Sequence, residues 1–176
     1  MNTEEINNKG AKKPFSGIAK AFMVIGIVGA VLLIESLLFP PLRSERAESR
    51  KIKCNINLKH IGIAIHTYSQ DNKGQYPDKN GAEGLEMLRA GGYLENPKMY
   101  TCPSSTTVPA KEGEKLTEAN VDYVYIGGYS DSESVSANTA IAYDKPANHH
   151  KYGNILFAFG DVQGYAGANW MNYDKK

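Results

Sequence analysis

Nineteen consecutive residues, Ala21 to Phe39, read Ala-Phe-Met-Val-Ile-Gly-Ile-Val-Gly-Ala-Val-Leu-Leu-Ile-Glu-Ser-Leu-Leu-Phe with one charge, Glu35. At 1.5 Å per residue a helix of this length covers about 28 Å, close to one hydrocarbon thickness. A buried core helix with this composition would need a large soluble partner. The chain offers little of that kind: apolar residues are 41% of the 176, below the usual ~45–50%, and the run takes many of them. A secretory signal has a shorter apolar region and a small-x-small cleavage site, whereas Pro40-Pro41-Leu42-Arg43 follows here. The expectation is a retained transmembrane helix. Glu35 near its distal end is expected to snorkel to the interface rather than to pair with a neighbouring helix.

Charge does not orient this span. Lys9, Lys12, Lys13 and Lys20 precede it, and Arg43, Arg46, Arg50, Lys51 and Lys53 follow it, so the positive-inside rule is nearly balanced. Over the whole chain 20 Lys+Arg face 19 Asp+Glu, and nothing in that balance points to nucleic acid or a polyanionic substrate.

From Leu42 to about Gln70 the pattern is helical. Cys54, Leu58, Ile61, Ile65 and Tyr68 are spaced 4, 3, 4 and 3 along one stripe, which Ile52, Ile56 and Ile63 are expected to widen. The charged first turns (Arg43, Glu45, Arg46, Glu48, Arg50, Lys51) read as a solvated neck, and Gly74 as the stop. Pro40-Pro41 is positioned to bend or break the rod. Beyond it, residues 84–90 suggest a short amphipathic helix, and residues 93–105 an irregular stretch. Residues 108–120 read as a polar surface excursion. Strands are expected at 121–126, 139–143 and 154–159, in an antiparallel sheet of three or four strands that needs a helix on one face. The organisation is therefore a polar tail (1–20), a transmembrane helix (21–39), a neck and amphipathic helix (40–72) and a head (73–176). The fold class is α+β: a long N-terminal helix, half in lipid, packed on a small antiparallel sheet.

The stretch from Phe39 through Arg-Lys-Ile-Lys-Cys54-Asn-Ile-Asn-Leu-Lys-His-Ile-Gly-Ile-Ala-Ile-His to Tyr76-Pro77 resembles type IV pilin-like proteins. It is most similar to the group with a C-terminal His-x9-Asp-Gly box, related to the major pseudopilins of type II secretion. Tyr100-Thr-Cys-Pro-Ser-Ser105 resembles that group's Cys-Pro segment, and His149 to Val162 its final box. Two departures stand out. The box has Phe159 and Asp161 where the family has Asp and His. Counting back from Pro40, Met23 and Ile18 occupy the positions of the prepilin Glu and of the Gly that precedes the cut. The expectation is an unprocessed anchor in the inner, cytoplasmic membrane, with the N-terminus cytoplasmic and the C-terminal domain periplasmic. The implied role is a structural, non-enzymatic subunit or accessory of a type II secretion or pilus-like apparatus, its partners being the membrane and other pilin-like subunits. A membrane-tethered binding module with a Tyr-rich sheet as its surface is the alternative.

Three sets of residues are candidates for chemistry. The resemblance places the head outside the cytoplasm, where disulfides persist. A Cys54–Cys102 bond would close a loop worth about 4 kcal/mol in the chain-entropy picture; two separate reduced cysteines are the other possibility. His149 and His150 with Asp144 and Asp161 are a weak candidate metal set, against a polar loop with one hydrogen-bonded His; no other residue supports a hydrolase built on them. Asp122, Asp131, Glu133 and Asp144 are a calcium candidate carried by the resemblance alone, because no Asp-x-Asp-x-Asp-Gly loop is present. His60 and His66, six apart, read as surface positions. No cofactor and no small-molecule substrate is expected. An intact mass equal to that of the unprocessed chain is the expected outcome for the membrane-extracted protein; loss of the residues before Ile18 would overturn the reading.

Overall fold

The computed structural model describes residues 17–38, 42–132 and 135–172. The polar tail before Gly17, Pro40-Pro41, and Glu133 of the calcium candidate lie outside them. The chain divides into two compact units, 1–42 and 43–176.

The first unit holds α1 (Gly17–Leu38). Within it Gly17–Ser36 is long and apolar enough to cross a membrane once, and none of that stretch is buried by the rest of the chain. The helix begins four residues before the apolar run, since Gly17, Ile18, Ala19 and Lys20 also accept helical geometry.

The second unit opens with α2 (Leu42–Asp71). Cys54, Leu58, Ile61, Ala64 and Ile65 on one face are buried, and Tyr68 is packed against the same core. Ile52, Ile56 and Ile63 do not widen that stripe: they are 54%, 45% and 64% exposed. The reason is helix geometry. Residues two apart are about 200° apart around the axis, so Ile52 and Ile56 lie opposite Cys54, and Ile63 lies opposite Ile61 and Ile65. The helix stops where Lys73 and Gly74 both take positive φ, and the Gly74 amide closes on the Ser69 carbonyl (2.8 Å).

A second helix, α3 (Gly81–Ala90), starts earlier than its apolar pattern suggests. Asn80 does not cap it with its side chain. Instead the Ala82 amide donates to Glu118 Oε1 (2.6 Å), an acceptor brought from far along the chain to one of the orphan N–H groups of a helix start. That contact holds Glu118 below the usual carboxylate range. Residues 108–120 are thus not a loose polar excursion: Leu116 and Ala110 are buried, and the Leu116 amide donates to Glu86 (2.9 Å). A 3₁₀ turn, Pro97–Tyr100, sits within the irregular stretch.

The sheet has four antiparallel strands in sequential order: β1 (Tyr123–Tyr125), β2 (Ala140–Asp144), β3 (Tyr152–Phe157) and β4 (Val162–Ala166). β4 had a weak signature because Gly164 interrupts its alternation. It pairs with β3 from Tyr152↔Ala166 to Leu156↔Val162. Leu156 joins the core with the α2 stripe, while its neighbours Ile155 and Phe157 join Trp170 in a second cluster on the other side. Gly62 of α2 makes room for Leu156: a Cβ there would stand 2.9 Å from its Cδ1.

Tyrosine supplies much of the interior. Tyr76, Tyr100, Tyr123 and Tyr125 are fully enclosed. The hydroxyls of Tyr76, Tyr100 and Tyr125 donate to the carbonyls of Ala158 (2.8 Å), Leu94 (2.8 Å) and Pro77 (3.0 Å), and Tyr123 accepts from Asn57 (3.2 Å). Burial pushes Tyr76 up to about 12 and raises the other three as well. These four therefore belong to the core and not to a binding surface.

The two faces of α2 make a direct prediction. Ile65→Ala leaves a void in a sealed site and is expected to cost roughly 2–5 kcal/mol. Ile63→Ala, two residues on the other side, is expected to stay within about 0.5 kcal/mol. Guanidinium unfolding of the detergent-solubilised chain reads both; equal costs would mean that the faces are misassigned.

Candidate functional site

Several buried polar residues of the second unit converge on one locus. Cys54 lies midway along α2. Cys102 follows the 3₁₀ turn, which ends when Thr101 takes extended backbone. Asp144 ends β2, His149 lies in the connection to β3, and Asn154 is in β3 itself. All five are buried.

Cys54 and Cys102 are joined by a disulfide with Cα atoms 5.5 Å apart. It ties α2 to the Cys-Pro turn and bridges 48 positions of sequence. His149 Nε2 lies 3.5 Å from Cys102 Sγ and 3.7 Å from Asp144 Oδ2. Its ring meets Tyr152 edge-on at 5.7 Å, and the Lys51 ammonium sits 4.6 Å from the centre of the Tyr152 ring. Asp144 Oδ2 accepts from both the backbone amide and the side-chain amide of Asn154, each at 2.8 Å. Asn154 in turn reaches Asn55 (3.4 Å) and the Lys51 carbonyl (3.4 Å) on α2. The Asn148 side-chain amide donates to the Asp122 carbonyl (2.8 Å) and also lies close enough to Asp144 to favour its charged form; Asp144 Oδ1 is buried without a hydrogen bond of good geometry.

Electrostatics follow from this enclosure. Burial is the main cause that pushes the Asp144 carboxyl up to about 6; the Asn154 and Asn148 contacts oppose the rise, and the Asp122 charge adds to it. Burial, and then the nearby Lys51 charge, hold His149 below its usual range. At neutral pH His149 is therefore an uncharged imidazole beside a reluctant carboxylate.

A second buried carboxylate serves a structural end. Asp122 accepts from the Cys102 amide (2.7 Å), from Ser105 Oγ and from Thr107 Oγ1 (2.6 Å), and so shapes the turn that presents Cys102.

The other candidates are dispersed. His150 and Asp161 are exposed; Asp161 accepts from Gln163 (2.6 Å), and of the four-residue metal set only His149 and Asp144 come together. The calcium set does not gather either: Asp122 is saturated by the Cys102 turn, and Asp131 is exposed, 3.9 Å from His66. His60 is exposed, but His66 is half-buried against Tyr76, with ring centres 5.4 Å apart. Among the described residues, the group of three or more His, Cys, Asp or Glu able to surround an ion is Cys54, Cys102 and His149. Sequence reasoning treated the cysteines and the histidine as separate questions. It gave no role to Asn154 or Asn148, whose only outward signal is that they flank the His149 segment.

Residues 43–94 match a family model described as "Protein of unknown function (DUF1559)". The match runs from α2 through α3 to Leu94, less than a third of the chain, and includes Cys54 but neither Cys102 nor His149. No curated protein and no solved structure matches the chain.

Burial of Asp144 has a measurable pH signature. The fold keeps its proton up to about pH 6, whereas an unfolded aspartate releases it near 3.8. Folding then takes up a proton between these values, so Asp144 lowers stability as pH rises from 4 to 6, by about 3 kcal/mol once complete. His149 works in the opposite sense: because its pKa is depressed, its contribution is lost as pH falls below 6.5. Asp144→Asn removes the first effect. Unfolding free energies at pH 4 and pH 7 are expected to show the variant gaining on the parent at the higher pH. A pH-independent difference would contradict a raised Asp144.

Proposed function

We propose that this protein is a membrane-anchored, non-enzymatic pilin-like subunit or accessory of a type II secretion or pilus-like apparatus. The observation that carries the reading is the two-faced α2. One face is consumed by the protein's own sheet, and the opposite face carries Ile52, Ile56 and Ile63 into solvent. Beta-branched apolar residues repeated along one side of a helix are costly to leave in water, and they suit packing against another helix. An apolar α1 long enough for one membrane crossing supports tethering. The resemblance of residues 39–77 to pilin-like proteins supports the class, and the match of residues 43–94 falls on the same segment.

The orientation proposed is N-terminus cytoplasmic and head periplasmic. The Cys54–Cys102 bond supports it, since such bonds persist outside the reducing cytoplasm. The final box supports less. Its His149 is buried beside the disulfide, but Phe159, where the box has Asp, is exposed in the β3–β4 turn.

One observation favours the alternative of a tethered binding module. A cavity of about 310 Å³ lies on the outer side of the sheet, lined by Tyr129, Thr139, Tyr143, Ile155, Trp170 and Met171 among others. Crosslinking in membranes separates the two readings. Assembly predicts a ladder of crosslinked species that Ile56→Asp abolishes without shifting the unfolding midpoint. A lone monomer, in the parent as in the variant, would favour the tethered module.

A further inference from the structure

A disulfide has no chemical need of an imidazole, yet His149 Nε2 is held 3.5 Å from Cys102 Sγ inside the core. The two sulfurs and a ring nitrogen of His149 all lie within 4.8 Å of one another. In a tetrahedral zinc site with Zn–S near 2.3 Å and Zn–N near 2.05 Å, a sulfur and a nitrogen ligand stand roughly 3.6 Å apart, and a nitrogen and an oxygen roughly 3.4 Å. The observed separation from Nε2 to Cys102 Sγ, 3.5 Å, is close to the first of these. Within the group of Cys54, Cys102 and His149 the spacing that must change is the one between the sulfurs, which are bonded to each other. With the Cα atoms 5.5 Å apart, side-chain rotation suffices to open the sulfurs to the roughly 3.8 Å that two zinc-bound thiolates require.

A buried carboxylate borders this group: Asp144 Oδ2 lies 3.7 Å from His149 Nε2, and a negative charge beside the imidazole favours a cation bound there. The donor set of two thiolates and an imidazole is soft and borderline, which suits Zn²⁺ and is unsuited to Ca²⁺ or Mg²⁺.

We infer that reduction of the Cys54–Cys102 bond converts this locus into a Zn²⁺ site held by the sulfurs of Cys54 and Cys102 and Nε2 of His149, with a water completing the tetrahedron. The bonded and the metal-loaded forms exclude each other. A dithiol reductant breaks the S–S bond, passes two electrons and two protons to the cysteines, and becomes a disulfide itself. Zn²⁺ then forms two Zn–S bonds and releases the two thiol protons to solvent. Lys51, stacked over Tyr152 beside the site, offsets the negative charge of the loaded centre. The crosslink from α2 to the Cys-Pro turn is preserved through the metal.

The test is Co²⁺ titration of the full-length chain in detergent, oxidised or reduced with a phosphine under anaerobic conditions, with circular dichroism recorded at each point. One equivalent of Co²⁺ is expected to bind to the reduced chain only, with thiolate-to-cobalt charge-transfer bands and the visible bands of tetrahedral Co²⁺, and Zn²⁺ is expected to displace it. His149→Gln is expected to weaken binding by about tenfold or more, which unfolded cysteines binding metal by themselves would not show. If the reduced chain loses its folded spectrum, metal is expected to restore it. Equal uptake by oxidised and reduced chains overturns the site. So does a reduced chain without charge-transfer bands, an affinity indifferent to His149→Gln, or a lost fold that metal does not recover.

Discussion

Cys54, Leu58, Ile61, Ala64 and Ile65 form the one face of α2 on which everything else in the second unit is organised. A four-stranded meander cannot hold itself in water with one face bare. The helix supplies the missing layer, and Leu156 of β3 presses close to Gly62. The burial is modest in residue number, and tyrosine makes up the volume that aliphatic residues would fill in a larger domain. Each buried hydroxyl then needs an acceptor, so Tyr76, Tyr100 and Tyr125 are each pinned to a particular carbonyl. Filling a small core with tyrosine thereby fixes the loops around it.

The same helix carries the polar locus. Cys54 takes a core position and turns it into a crosslink to Cys102, while Asn55 beside it reaches Asn154. The buried chain of groups from Cys54 through Cys102, His149 and Asp144 to Asn154 is costly unless it is satisfied. Most of it is; Asp144 Oδ1 is the exception. The opposite face of α2, with Ile52, Ile56 and Ile63, stays exposed, so one helix presents a sealed side and an open apolar side.

Legibility varied with how local the cause was. The apolar span, the limits of α2 and the buried stripe follow from length and period, because a helix repeats its face every few residues regardless of what covers it. The assignment of Ile52, Ile56 and Ile63 to that stripe failed because apolar character was counted without angular position. The earlier start of α3 was not legible, since its capping group, Glu118, arrives from elsewhere in the chain. β4 was missed because Gly164 removes a side chain from its alternation, and the pairing partner rather than local propensity makes it a strand. Tyr123 and Tyr125 belonged to an expected strand, but nothing local says that both would be sealed.

By itself the sequence determined that a helix could span a bilayer, that a second helix would have a greasy side, and that alternating β-branched and aromatic segments would pair. These are consequences of backbone period and side-chain polarity, which neighbours in sequence already contain. Only the tertiary structure decided which of the apolar sides of α2 would be covered. Only it decided that Cys54, Cys102, His149 and Asp144, drawn from four separate segments, would share one buried space. That convergence depends on strand order and on the path of the Cys-Pro turn, and no spacing along the chain encodes a distance between groups that meet only after the sheet has closed over the helix.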